Sequence, residues 1–467
     1  MLKTSCFLLA VILTGCATFS EDGGFGTVQR AVKERTGQEA RWVRSDDEAN
    51  SVRARTRELL ARPLSADDAA QLALLNNPGL QATYAELGIS EADLVQAGRM
   101  TNPHFAYLRT RNGDQKKIEW ALTFPIIDLL TMPLRARLQG RRFEEAKLSV
   151  AGAAVGVALE ARQAWHQAVA AEQTVVYTAQ VKEAAEASAE LARRMARVGN
   201  FSKLTLMREQ VFYAEAVAQL AHARQSAVAD RERLARLMGL FGDDLAFKLP
   251  ERLPDLPAAM PDFGDLEAIA IQQRFDVQAA KRSTEALAES LGLSKATRFI
   301  NVLELGPAST REGAEPWKRG FEISLELPIF DWGGARVAKA ESIYMQSVHR
   351  VAEAAINARS EVRESYSAYR VAYDTAKHYR DEIVPLRKKI SEEVLLRYNG
   401  MLTSVFELLA DAREQVASVN AAIDAQRDYW LAENALQAAL NGTPGAGRGL
   451  AGKSGRRMVP NPALAGH

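Results

Sequence analysis

The sequence predicts a mainly α protein with a small β part, built from two copies of one unit. In each copy, long helical hairpins are interrupted by a short β-hairpin. Three observations predict this: an internal duplication, a near-heptad apolar stripe too long for an ordinary globular helix, and two short runs of apolar–polar alternation. The 467 residues are 47% hydrophobic and 25% charged, with a net charge of +1. That composition excludes a disordered chain. The near-neutral balance argues against a general nucleic-acid binder. No run of 18 or more apolar residues occurs, which excludes an ordinary transmembrane helix. A single core at this length would be unusually large, so several domains or an elongated build is expected.

The first element is an export signal over 1–15. Met1-Leu-Lys3 is a short positive start, and Phe7–Leu13 is an apolar run too short to span a bilayer. Leu13-Thr-Gly-Cys16 follows and resembles the bacterial lipobox. That resemblance implies cleavage before Cys16 and its acylation, palmitate included. Acyl chains at about 0.8 kcal/mol per buried CH₂ anchor a chain firmly. An ordinary secretory peptide with an incidental Cys16 is the competing reading. Cys6 and Cys16 are the two cysteines, so the mature chain is expected to carry neither a free thiol nor a disulfide. Ala17 is compatible with sorting to the outer membrane. Residues 16–64 are read as a lipidated N-terminal extended segment with one helix.

The duplicated unit occupies 65–242 and 261–442. Each copy opens on a helical segment, Ala69–Pro78 and Leu266–Asp276. An alternating run ending in proline follows, Ile118-Glu-Trp-Ala-Leu-Thr-Phe-Pro and Phe321-Glu-Ile-Ser-Leu-Glu-Leu-Pro. A long Ala-rich stretch comes next. A glycine break interrupts it, at Arg197-Val-Gly-Asn-Phe-Ser202 and Arg397-Tyr-Asn-Gly-Met-Leu402. The motif Arg-Glu-Gln-Val then recurs at 208–211 and 413–416, and Gly239 or Gly442 closes the copy.

Ile118, Trp120, Leu122 and Phe124 share one strand face, as do Phe321, Ile323, Leu325 and Leu327. Partner strands are expected at Pro103–Asn112 and Phe299–Gly306, giving one hairpin per half. A lone hairpin is marginal in water, whereas such alternation is the signature of a transmembrane β-barrel. A soluble hairpin packed on helices is the competing reading. Four strands cannot close a barrel alone, so the membrane reading demands several chains. The helical stripe runs through Tyr344, Val348, Val351, Ala355, Ala358, Val362, Tyr366, Tyr369, Tyr373 and Ala376 in steps of three and four. A helix of about 60 residues would be ~90 Å long, and Pro385 should bend or break it.

The segment Leu325-Glu-Leu-Pro-Ile-Phe-Asp-Trp-Gly-Gly-Ala-Arg-Val-Ala-Lys-Ala-Glu341 resembles the TolC/OprM family of outer-membrane efflux proteins. With the duplication, the glycine breaks and Leu440-Asn-Gly442, the resemblance covers nearly all of 65–442. It implies a homotrimer whose helices form an α-barrel and whose four strands per chain make a twelve-stranded transmembrane barrel. The lipid-facing residues would include Trp120, Leu122, Phe124, Phe321, Ile323 and Leu325. It implies a lipid-anchored exit duct in the outer membrane of a Gram-negative bacterium, reaching into the periplasm. The partners would be a periplasmic adaptor (membrane fusion) protein and an inner-membrane pump, exporting a drug or a heavy metal such as copper. The alternative is a non-pore periplasmic coiled-coil lipoprotein. The first half lacks the Gly-Gly, so Pro133 is expected in the first helical turn of its strand-to-helix corner.

No catalytic or metal-ligand constellation is legible. The six histidines lack ligand spacing, no Walker pattern occurs, and Met195, Met207 and Met401 are read as packing residues, with a copper relay as the alternative. The chain is therefore read as a non-enzyme without a cofactor. Gly199 to Arg208 is shorter by four residues than Gly400 to Arg413, about one helical turn. The longer segment carries Glu407 and, at i+4, Asp411. Two readings stay open: a carboxylate ring at the periplasmic aperture of a trimer, or a solvated helix face paired with Arg413 or Arg208. The tips, with Arg197, Gly199 and Ser202 and with Arg397, Gly400 and Thr403, are the expected adaptor-docking surface. Ser202 or Thr403 would serve as N-caps. The tail 443–467 is read as disordered.

Overall fold

The computed structural model describes residues 18–260, 264–300 and 302–443. The signal segment, Cys16 and the tail beyond Thr443 lie outside the described residues. Two compact units are present, one of Met1–Val28, Thr83–Ala151 and Phe275–Ile356, the other of Gln29–Ala82, Gly152–Arg274 and Asn357–His467.

The N-terminal segment holds two helices, α1 (Phe25–Thr36) and α2 (Asp46–Leu60), where one was expected. The second was readable from Ser45-Asp-Asp-Glu48. Ser45 accepts from the Glu48 N–H and Glu48 reaches back to the cap, a complete capping box. The first copy then runs α3 (Ala66–Asn76), α4 (Pro78–Ala97), β1 (His104–Asn112), β2 (Gln115–Pro125), α5 (Ile126–Arg197) and α6 (Lys203–Leu237). The second runs α7 (Leu266–Gln273), α8 (Phe275–Ala296), β3 (Leu303–Glu312), β4 (Lys318–Leu325), α9 (Gly334–His378), a π turn (Tyr379–Ile383), α10 (Val384–Asn399) and α11 (Val405–Asn441).

The opening helix pair is interrupted at the same place in both copies. Asn77 and Arg274 each take an extended backbone there (ψ 115° and 129°). Pro78 forces this at Asn77. Each residue also donates to the far end of its own copy, Asn77 Nδ2 to the Leu237 carbonyl (2.9 Å) and Arg274 to the Ala439 carbonyl (3.0 Å). At the first of these ends Gly239 has φ 66°, and a Cβ there would lie 2.4 Å from the Asn76 carbonyl oxygen. Only glycine fits that approach.

Pro133 sits inside the 72-residue α5, beyond the first turn where it was expected. The chain passes from the strand at Pro125 into the helix at Ile126 without a linker, so the corner itself uses Pro125. Proline in a helix interior removes an N–H and crowds the preceding turn. Side-chain donors serve carbonyls of that turn: Thr131 Oγ1 to Ile127 (2.8 Å) and Arg135 to Asp128 (2.8 Å). The expected break at Pro385 takes a specific form. A π turn precedes it, in which the Val384 N–H bonds to Tyr379, five residues back.

The second unit holds the main core. Leu64, Leu72, Trp165, Leu234, Met238 and Leu253 form one cluster, and Tyr369, Tyr373, Tyr429 and Leu436 another. In the helical stripe Ala358, Val362, Tyr369, Tyr373 and Ala376 are buried. Tyr344, Val348, Val351 and Ala355, in the other unit, are only half-buried.

Candidate channel surfaces

The two hairpins do not stand apart. They form one antiparallel sheet in the order β1-β2-β3-β4, because β2 of the first copy pairs with β3 of the second. The third strand starts at Leu303, four residues later than expected, and extends to Glu312. Cross-strand partners point to the same face, so the register places side chains without ambiguity. Phe105 opposes Leu122, Tyr107 opposes Trp120, Phe124 opposes Leu305, and Leu305 opposes Ile323. Trp120, Leu122, Phe124, Phe321, Ile323 and Leu325 therefore share one face. Phe105, Tyr107 and Leu305, missed in the sequence, complete it. Phe321 is 83% and Ile323 68% exposed. The other face carries Glu119, Ala121, Thr123, Glu304, Gly306, Ala308, Glu322 and Ser324. There Thr123 Oγ1 donates to Glu304 Oε2 (2.7 Å), and His104 Nδ1 lies 3.2 Å from Glu304 Oε1. The outer edges of β1 and β4 have no strand neighbour among the described residues.

The helix tips are built alike. At the first, the Asn200 N–H bonds to Met195 (2.9 Å), Gly199 is left-handed (φ 80°), and Ser202 caps α6 by accepting from Thr205. At the second, the Leu402 N–H bonds to Arg397 (2.8 Å), Met401 is left-handed (φ 58°), and Ser404 caps α11 by accepting from Glu407. Both are Schellman-type turns. One expectation is corrected, that Thr403 caps α11, and one detail is added. The left-handed residue of the second tip is Met401, with Gly400 ending α10 at φ −81°. The N-cap is Ser404 and not Thr403, whose hydroxyl instead contacts the Glu407 carboxylate. Met401, 93% exposed, is not a packing methionine. Arg197, Gly199, Ser202, Arg397 and Gly400 are exposed, and Thr403 is half-exposed.

Aligning Gly199 with Met401 also relocates the extra length. Each left-handed residue precedes its serine cap by three residues, so the insertion, now three residues, lies within α11. This shift separates the two Arg-Glu-Gln-Val motifs. Glu209, 5% exposed, accepts from Ser188 Oγ (2.8 Å) and from Arg413 of the other copy (2.6 Å). The Arg413 guanidinium also lies 4.6 Å from the Phe212 ring centroid. Glu414 instead meets Arg387 in solvent. Arg413 is thus taken by Glu209, which removes it as a partner for Glu407 or Asp411. Asp411 is half-buried and accepts from Ser391 on α10. Glu407 is exposed in the first turn of α11, where the helix dipole favours an anion.

A cleft of the second unit contains His166, 4% exposed and stacked on Trp430 (5.1 Å, 8°). Its Nδ1–H donates to the Arg162 carbonyl (2.8 Å). Burial lowers its pKa to about 4, so the imidazole is neutral and serves to pack α5 on α11. Among the described residues no group of three or more His, Cys, Asp or Glu is disposed to hold a metal. No described helix is long and apolar enough to cross a membrane.

Two hairpins from duplicated helical halves, joined in one sheet with an exposed aromatic face, form a fold that this chain shares with solved outer-membrane channels. The chain is similar to the solved structure of CusC, described in terms of folding and transmembrane channel formation, at 16% identity and TM-score 0.68, covering 81% of this chain and 92% of that one. It is similar to the outer-membrane channel OprN at 17% identity and TM-score 0.68, covering 83% and 92%. It is also similar to the outer membrane protein VceC of Vibrio cholerae at 15% identity and TM-score 0.67, covering 84% and 97%. No protein-family model matches the chain, and no curated sequence matches it.

Proposed function

We propose that the chain is the outer-membrane exit duct of a tripartite efflux system, acting as a homotrimer. The observation that carries this reading is a four-stranded sheet with an exposed aromatic face and two unpaired edges. Backbone edges cannot remain open in lipid. Four strands are too few to close a barrel, whereas three copies joining β4 of one to β1 of the next give twelve. The half-buried Tyr344–Ala355 part of the stripe supports helix packing between copies. Cys16 anchors the chain by acylation, the copies span 65–242 and 261–442, and the exposed tips dock a periplasmic adaptor. The adaptor links the duct to an inner-membrane pump, which supplies the energy. The cargo is a drug or a heavy metal such as copper.

The full chain in detergent should run as a trimer and form conducting pores in planar bilayers. A monomer without conductance would instead support the non-pore lipoprotein. For the aperture, Glu407 is the stronger candidate, since Asp411 is already answered by Ser391. Glu407→Gln/Asp411→Asn should raise conductance or lower cation preference. Unchanged conductance and selectivity would reject the assignment.

A further inference from the structure

We infer that the apolar face of the sheet ends, toward the hairpin turns, in a belt of cations that binds the phosphate groups of a glycolipid leaflet. The register sorts this face into rows. Leu303–Leu325, Phe124–Leu305–Ile323 and Phe105–Leu122 are apolar. Tyr107–Trp120 is aromatic, with Arg319 two strands on beyond Ser309. Arg109–Ile118–Arg311 follows, and Arg111–Lys116 is last before the turn. From the Leu325 row to the Arg319 row is six residues, ~20 Å at about 3.4 Å per residue. Strands tilted as in a transmembrane barrel rise ~15 Å over that length, part of the ~25 Å apolar band, and the aromatic row marks its rim. The cations therefore begin where headgroups would.

The strand carboxylates are confined to one face, where Lys117 and Lys318 lie with them and pair with Glu119 and Glu315. Arg109, Arg111, Lys116, Arg311 and Arg319 all share the apolar face and are exposed. The strand carboxylates Glu119, Glu304, Glu312 and Glu322 all lie on the opposite face. Arg111 donates to the Gly113 carbonyl (2.9 Å) and lies 4.0 Å from the exposed Asp114. The other acid of the turns, Glu315, pairs with Lys318 (2.8 Å) of the opposite face. Among the described residues, Arg109, Lys116, Arg311 and Arg319 have no carboxylate partner. Arg109 and Arg311 flank Ile118, about 10 Å apart at the usual strand spacing. That separation lets two guanidiniums engage separate phosphates, each bidentately. Unanswered like charges at a headgroup level suit an anionic lipid surface.

This inference rests on the transmembrane placement proposed above. The test uses full-length protein in detergent, titrated by native mass spectrometry with bisphosphorylated lipid A, with its dephosphorylated form and with phosphatidylglycerol. Phosphorylated lipid A should be retained about tenfold more than either competitor. Arg109→Gln/Arg311→Gln/Arg319→Gln should erase that preference while trimer and conductance persist. Lys318→Gln/Glu322→Gln, on the other face, should keep it. Added salt should weaken the wild-type preference, a readout independent of any variant's folding. Equal retention of the dephosphorylated lipid or of phosphatidylglycerol, or a triple variant that binds like wild type, overturns the belt. If the wild type still conducts, the duct reading survives that result. A wild type that neither trimerises nor inserts overturns both.

Discussion

The two helix tips share one backbone and differ in the residue at its tightest point. Gly199 and Met401 both take a left-handed conformation, followed by a serine cap. Glycine does so freely, whereas methionine is strained by about 1–2 kcal/mol. The second tip thus holds a bulky, 93% exposed apolar side chain in an unfavourable backbone conformation. Strain kept at an exposed site is a mark of function, and it falls on the surface proposed to meet the adaptor. A duplicated frame can keep its geometry while its copies take different tasks.

The same divergence can be probed from its largest effect downward. His166 is the titratable member of the α5–α11 contact, whereas the α9–α11 contact uses Tyr369 and Tyr429, whose phenols burial pushes to higher pKa. The imidazole pKa falls from 6.5 to about 4 on folding. The unfolded chain therefore binds the extra proton between those values. Its stability contribution is full above pH 6.5 and is lost as pH falls toward 4, by ~3 kcal/mol. Thermal melts across that range should show the slope, and His166→Phe should flatten it.

Next come the motif copies. Glu209→Ala strands Arg413 beside Phe212 and should destabilise by ~2–3 kcal/mol, the low side of a broken buried pair because Arg413 is partly exposed. Glu414→Ala removes a solvent-exposed pair and should cost under ~1 kcal/mol. Denaturant midpoints of the two variants test whether the copies truly differ, and equal losses would erase the distinction. The smallest effect is at the tips. Gly199→Ala should destabilise by ~1 kcal/mol, and Met401→Gly should stabilise by ~0.5–1 kcal/mol. If Met401→Gly also weakens adaptor binding, the strain serves docking.

Much of the fold was legible because period is a strong signal. Steps of two marked β2 and β4, steps of three and four marked α9, and repeated landmarks marked the duplication. Proline effects were legible in kind at Pro385 but not in place at Pro133, since a helix can begin directly at a strand-ending proline. Sequence spacing failed where equivalence is conformational. Matching Gly400 to Gly199 by residue type misassigned the turn by one position and hid the insertion in α11. The Glu209–Arg413 pair was not legible from spacing, because its members come from different copies of a motif. Phe105, Tyr107 and Leu305 had the right period but lay in strands without the clean alternation of their partners. The confinement of the strand carboxylates to one sheet face emerges only from the register across all four strands.

The β2–β3 pairing has a consequence for the order in which the protein matures. Thr123 and Glu304, bonded across the sheet, are 181 residues apart in the chain. The helical hairpins depend on local contacts that form early, whereas the central seam of the sheet must await the second copy. During synthesis, the first hairpin emerges with an aromatic face and a bare edge long before its partner is made. Such an edge invites misplaced pairing, so protection of the nascent first half becomes a condition for assembly. Completion of the sheet is then timed by the slowest-arriving strands.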